Sequence, residues 1–169
     1  MNLSFRLSVS VLTLIAGLVM GAPAQARTDC ASNGNLARVN ARLDGAIDRL
    51  SQDQRDYGGH KGQAMGDLQN ARNELNAAAQ WATANDHENP ACFAPGGPGD
   101  VRDVNRGPRT QGGSNRDLRH VRSWVERMID QLQRDQHDYD GHRIRAIADM
   151  QAARTQLVAA EAWARGHGY

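Results

Sequence analysis

Eight residues recur almost unchanged at a fixed distance along this chain: QRDYGGHK at 54–61 returns as QHDYDGHR at 136–143, 82 positions later. The likeness extends well past the motif. Residues 36–85 laid on 118–167 with that constant shift and no gap give 21 identities in 50 positions, far more than two unrelated helical stretches share. A chain that carries the same unit twice is expected to build the same supersecondary element twice, and this restricts the possible architectures more than any other feature of the sequence.

The apolar residues of each copy recur at steps of three and four, the period of an amphipathic helix. In the first half of the unit they are Leu36, Val39, Leu43, Ala46 and Leu50, matched by Leu118, Val121, Val125, Met128 and Leu132. In the second half they are smaller: Ala64, Leu68, Ala71, Leu75, Ala78 and Ala82, matched by Ala146, Met150, Ala153, Leu157, Ala160 and Ala164. Seams this narrow predict bundle-like packing. The shared motif lies between the seams, and there the chain either turns or continues as a single helix of about 47 residues with one stutter. Gly58-Gly59 inside a helix would cost about 2 kcal/mol relative to alanine, which favours the turn. Gly59 and Gly141 suit a left-handed residue just past a helix end.

The predicted fold is therefore all-α: two tandem duplicated αα-hairpins forming a four-helix bundle-like domain, with a long irregular connection. The expected divisions are a signal peptide over 1–26, a first hairpin over 27–85, a Gly/Pro-rich linker over 86–115 and a second hairpin over 116–169. The linker holds four of the five prolines. Its glycines do not form a nucleotide-binding loop, because no strand precedes APGGPGD.

The address is written at the N-terminus. MNLSFR carries one positive charge, an apolar run follows from Leu7 to Met20, and small residues end at Ala26, which is the pattern of a secretory signal peptide. The run is too short to span a bilayer as a helix, which needs about 20 residues. The mature chain is expected to start at Arg27, to be soluble, periplasmic or secreted, and to hold no transmembrane segment. Its formal charge is close to zero, and Lys61 is the single lysine against 19 arginines. No basic stripe points to nucleic acid.

Cys30 and Cys92 flank the first hairpin. In an exported chain this even count predicts a structural disulfide closing a loop of about 60 residues, worth roughly 4 kcal/mol on the chain-entropy account. No C-x-x-C spacing supports a redox or metal pair.

The candidate functional residues are those of the repeated corner: Asp56, Tyr57, Gly59, His60 and Lys61, with Asp138, Tyr139, Gly141, His142 and Arg143. Extending the seam places each tyrosine inward as a plug, its hydroxyl bonded to a loop carbonyl or to the neighbouring histidine. Each histidine falls at a helix start, where the dipole disfavours positive charge and a counter-charge such as Asp56 or Asp138 is expected; a bound anion is the functional alternative. His60 and His142, with His137 in one copy only, are weak candidates for a metal or haem site if both turns lie at one end. The repeated residues include no nucleophile beside a base and no paired carboxylates in a pocket. Trp81 with Trp163, Arg72 with Arg154 and Gln69 with Gln151 read as packing and polar facing. The C-terminal RGHGY is expected to fray.

Through Asp56, Tyr57, Gly59, His60, Lys61 and Ala64, and again Asp138, Tyr139, Gly141, His142, Arg143 and Ala146, the chain resembles small exported bacterial proteins of uncharacterised function whose helical segments carry D-Y-x-G-H-[KR]-x-x-A. The resemblance implies an exported helical domain and no assigned activity. The expected function is a non-catalytic binding or cell-envelope module without a cofactor, whose partner is an envelope protein or a small ligand. The alternative is a metal, haem or small-anion carrier using the paired corners.

Overall fold

The computed structural model describes the backbone of residues 25–85 and 111–169, and side chains over 33–85 and 114–169. The chain is all-α. Its elements are α1 (Gln25–Ser51), α2 (His60–Asn85), α3 (Gln111–Gln133) and α4 (His142–Gly166), with no strand among the described residues. The helical run stops at Ser51 and restarts at His60, so the motif is a break and not the middle of one long helix.

Each residue of the four apolar seams is exposed by 2% or less. Burying such a stripe, and not intrinsic propensity, is what holds helices of this kind. Ile129 and Ile147 join the same core, and Trp81, Trp124 and Trp163 lie partly buried against it. α1 packs on α2 and α3, and α4 packs on the same two, with the α2–α4 contact the most extensive. The difference follows from side-chain size. The seams of α2 and α4 are mostly alanine and let the two backbones approach, whereas Leu, Val and Met on α1 and α3 set those helices further apart.

The directions of the helices can be read from their polar contacts. Asn40 donates to Asn76 and Arg72 to Asp44, each over 2.8 Å, so α1 and α2 run antiparallel. His60, at the start of α2, meets Gln156 late in α4, while Glu74 in α2 meets His142 at the start of α4. Arg49 meets Asp117 and Gln131 meets Asn35 between α1 and α3. The α2–α4 and α1–α3 contacts recur under the 82-residue shift with the two helices exchanged: 60 with 156 becomes 142 with 74, and 49 with 117 becomes 131 with 35. The corner at 52–59 and the corner at 134–141 therefore lie at opposite ends of the molecule.

Two helices start earlier than the apolar pattern predicts. α1 begins at Gln25 and not near residue 36, so Cys30 lies within it. α3 begins at Gln111, inside the stretch expected to be irregular, and takes in Gly112-Gly113. Buried polar residues lie N-terminal to each apolar seam, Asn33 in α1 and Ser114 and Asp117 in α3. The expected Cys30–Cys92 bridge and the apolar run Leu7–Met20 lie outside the described residues. No helix among the described residues is long and apolar enough to cross a membrane.

Candidate functional site: the two corners

Each corner is a run of three left-handed residues. Tyr57, Gly58 and Gly59 have φ of 54°, 66° and 86°; Tyr139, Asp140 and Gly141 have 52°, 57° and 79°. The glycines are left-handed as expected, but they stand immediately before a helix and not just after one. A tyrosine in this region costs about 1–3 kcal/mol and persists only where its surroundings impose it. Burial imposes it here, since Tyr57 and Tyr139 are each 1% exposed and are the largest fully buried side chains.

The hydroxyls donate to a side-chain carboxylate and a side-chain amide, where a loop carbonyl or a histidine was expected. Tyr57 donates to Asp53 Oδ2 over 2.8 Å, and Ser114 of α3 bonds the same phenol. Asp53, itself buried, uses Oδ1 to accept the N–H of Arg55 at 3.0 Å. Burial first, then the hydrogen bond and the charge of Asp53, push the Tyr57 phenol well above its ordinary value, so it stays a donor. At the other corner Asp135 accepts the N–H of His137 in the same way, at 3.1 Å, but the Tyr139 hydroxyl donates to Asn33 Oδ1 of α1 over 2.8 Å.

The basic residue of the motif closes the preceding helix. Lys61 Nζ donates to the carbonyl of Asp53, two residues past the end of α1, and Arg143 Nη1 to that of Leu132 in the last turn of α3 over 2.8 Å. Carbonyls at a helix end have no partner within the helix, and a cation suits that negative end. The aspartate of the motif orders the turn: the Asp56 carbonyl accepts the N–H groups of Gly59 and Lys61, and Asp138 Oδ2 accepts that of Gly141 at 2.9 Å.

The histidines take their partners from the opposite half of the molecule and not from Asp56 or Asp138. His60 Nδ1 donates to Gln156 Oε1 at 2.9 Å, and His142 Nδ1 to Glu74 Oε2 at 2.8 Å. Arg145 donates to the same Glu74 oxygen over 2.8 Å. The hydrogen bonds from His142 and then Arg145 hold the Glu74 carboxyl below its usual range. Asp67 and Asp149 stand at equivalent positions on α2 and α4. Their carboxyls are raised, Asp67 by desolvation and Asp149 by desolvation and then the charges of Glu74 and Asp67.

The two histidines are not brought together. Glu74, the partner of His142, is fourteen residues along α2 from His60, about 21 Å at the rise of an α-helix. The His137 ring packs against Tyr139, tilted by 40° with centroids 4.6 Å apart, and lies 6.0 Å from Trp81. No group of three or more potential metal ligands occurs among the described residues. Local contacts close the C-terminus: Gly168 is left-handed at φ 74°, Tyr169 N–H returns to the Ala164 carbonyl at 2.9 Å, and His167 stacks on Trp163 at 3.9 Å. This is the αL closure that glycine gives a helix end.

Glu74, Gln156, Asn33 and Ser114 complete the corners and were not singled out from the sequence. The signal that could have found them is non-local: only pairing the numbers of one half with the shifted numbers of the other places Glu74 against His142. No protein-family model, no curated protein and no solved structure matches the chain.

Proposed function

We propose that the chain is an exported, soluble, non-catalytic binding or cell-envelope module, built from two tandem copies of one αα-hairpin packed as a four-helix bundle, and related to the small exported proteins that share its motif. The observation that carries this reading is the exchange of partners at the corners. His60 reaches Gln156 and His142 reaches Glu74, so the repeated side chains that look most like chemistry are engaged in joining the two halves. Tyr57, Tyr139, Lys61 and Arg143 are likewise held by internal acceptors.

A metal or haem carrier would draw on the same histidines. The two readings separate in protein isolated from its own envelope. The module predicts an ultraviolet-visible spectrum without a haem band and no stoichiometric metal by elemental analysis. It also predicts that His60→Ala and His142→Ala each lower Tm by roughly 2–4 °C, the equivalent of about 1 kcal/mol. A bound group that either substitution releases would overturn it.

A further inference from the structure

In a chain that carries one hairpin twice, a feature found in one copy alone marks something that occurs once. The seam of α1 faces the core, Asn40 and Asp44 meet α2, and Asn35, Arg42 and Arg49 meet α3. The residues left over are Gly34, Ala37, Arg38, Ala41, Gly45 and Asp48, which recur at helical steps on the side away from the core. Their equivalents on α3 are Arg116, Arg119, His120, Ser123, Arg127 and Asp130. α3 therefore turns a charged, arginine-rich face outward, whereas the outward face of α1 is mostly glycine and alanine. Accessibility differs in the same sense. All of the α3 set except Ser123 are exposed, while all of the α1 set except Asp48 are half-buried, although α2 and α3 lie on the other sides of α1.

What occurs once is the connection 86–110, and its two ends require it to run the length of the molecule. Asn85 lies at the end that holds the start of α1, since α1 and α2 are antiparallel. Gln111 lies at the other end, because Arg49 near the end of α1 meets Asp117 in the second turn of α3. These points are about 35 Å apart along the bundle at 1.5 Å per helical residue, a span that 25 residues cover easily. α2 and α3 stand diagonally, each packed on α1 and α4, so a direct path crosses the outside of α1 or of α4. The outside of α4 is open, with Ile144 53% and Val158 46% exposed. Charge also favours α1. A chain going from Asn85 to Gln111 runs parallel to α1, so its acidic start, with Asp86 and Glu88, falls toward Arg38, and its basic end, with Arg106 and Arg109, toward exposed Asp48.

We propose that the outward face of α1 is a docking surface for the chain's own residues 86–110, which pack lengthwise over Gly34, Ala37, Ala41 and Gly45. Positions without bulky side chains let a second backbone approach closely. The expected Cys30–Cys92 bridge would fasten the start of the segment one helical turn before Gly34. The inference goes beyond the binding-module reading and does not depend on what the corners hold.

The test uses the full mature chain in reducing buffer, so that a Cys30–Cys92 bridge does not itself give protection. It reads chymotryptic cleavage after Phe93, the one phenylalanine beyond residue 26. The parent is expected to be cut roughly tenfold more slowly there than a free peptide of residues 86–110, since a packed segment must first open. Ala37→Arg/Gly45→Arg copies Arg119 and Arg127 and is expected to bring cleavage to within about threefold of the peptide rate, with helical circular dichroism kept. Ala148→Arg/Ala152→Arg, at exposed positions of α4, is expected to leave the parent's rate unchanged. Equal rates for parent and peptide, or unchanged protection in the α1 variant, overturn the proposal. So does faster cleavage in the α4 variant than in the α1 variant, which would put the segment on α4. A parent that sediments as a dimer, with its α1 variant monomeric, overturns it too, since a second copy then covers the face. Those failures leave the corner-held module standing, whereas haem or metal released from the corners would defeat that module and leave cleavage at Phe93 unaffected.

Discussion

At one end of the molecule Tyr57 gives its hydroxyl to a carboxylate four residues back, and at the other Tyr139 gives it to an amide 106 residues away. The backbone of the two corners is the same to within a few degrees in φ at each tyrosine. The difference shows which part of the motif is geometric and which is exchangeable. The left-handed triplet, the inward ring and the cation on the preceding helix recur in both. The groups that satisfy the ring and the histidine vary between charged and neutral. The same division runs along α1 and α3, where one end is joined by the buried ion pair of Arg49 with Asp117 and the other by the amide pair of Gln131 with Asn35. Likewise Arg49 lies 5.2 Å from the Trp124 ring, whereas the equivalent positions hold Arg42 bonded to Gln131.

Swapping these pairs breaks the comparison most directly. Arg49 donates twice to Asp117 Oδ1, at 3.1 and 2.7 Å, with both side chains under a tenth exposed. Removing one partner strands a buried charge, so Asp117→Ala is expected to cost about 3–5 kcal/mol. Asn35→Ala at the other end breaks a neutral bond and is expected to cost about 1 kcal/mol. The double variant Arg49→Gln/Asp117→Asn copies the amide pair and is expected to unfold within about 1 kcal/mol of the parent, as burying a pair of charges gives little net gain. Chemical denaturation measures all three. A double variant as unstable as Asp117→Ala would mean that the two ends are not interchangeable.

What could be read from the sequence follows the range of the interactions. The seams were legible because an apolar period sustained over some 15 residues has few explanations, and every predicted seam residue is buried. The break at Gly58-Gly59 was legible because two glycines are costly within a helix. The starts of α1 and α3 were not, since Asn33, Ser114 and Asp117 are polar and are helical only because Tyr139, Tyr57 and Arg49 wait for them across the fold. The histidine partners were hidden for the same reason, at separations of 96 and 68 residues. The closing turn at Gly168 had a local signal, a glycine just past the last helical residues, outweighed by the expectation that termini fray.

The next test concerns the residue between tyrosine and glycine. A Cβ on Gly58 would stand 2.7 Å from Trp163 Nε1, and its φ of 66° is one that side chains rarely adopt. Trp163 packs edge-on to Tyr57 at 6.3 Å, while its equivalent, Trp81, is turned to His137, and Asp140, at the position of Gly58, is exposed. Gly58→Ala is therefore expected to cost about 2–3 kcal/mol from overpacking and backbone strain together and to shift the tryptophan fluorescence. Asp140→Gly is expected to change stability by about 1 kcal/mol at most. Equal costs at the two positions would show that the indole does not discriminate between the corners.

The smallest effect expected is electrostatic and depends on pH. Glu74 is held below the ordinary carboxyl range by His142 and Arg145, so its contribution is present above the unfolded glutamate value and is lost as pH falls through the lower folded one. Asp149 has the opposite sign: it is raised by desolvation, by Glu74 and by Asp67, so what it contributes when protonated is lost as pH rises through its folded value. Glu74→Gln converts this end into the His60–Gln156 arrangement and acts on both groups. It removes the acid-side loss due to Glu74 and relieves part of the repulsion on Asp149. At neutral pH these changes oppose each other, and because Glu74 is 28% exposed the net cost is expected to stay under about 1 kcal/mol. Melting curves from pH 7 to pH 3 should then show a shallower fall in Tm for Glu74→Gln than for the parent. An unchanged slope would mean that the charged end gains nothing from its carboxylate that the neutral end lacks.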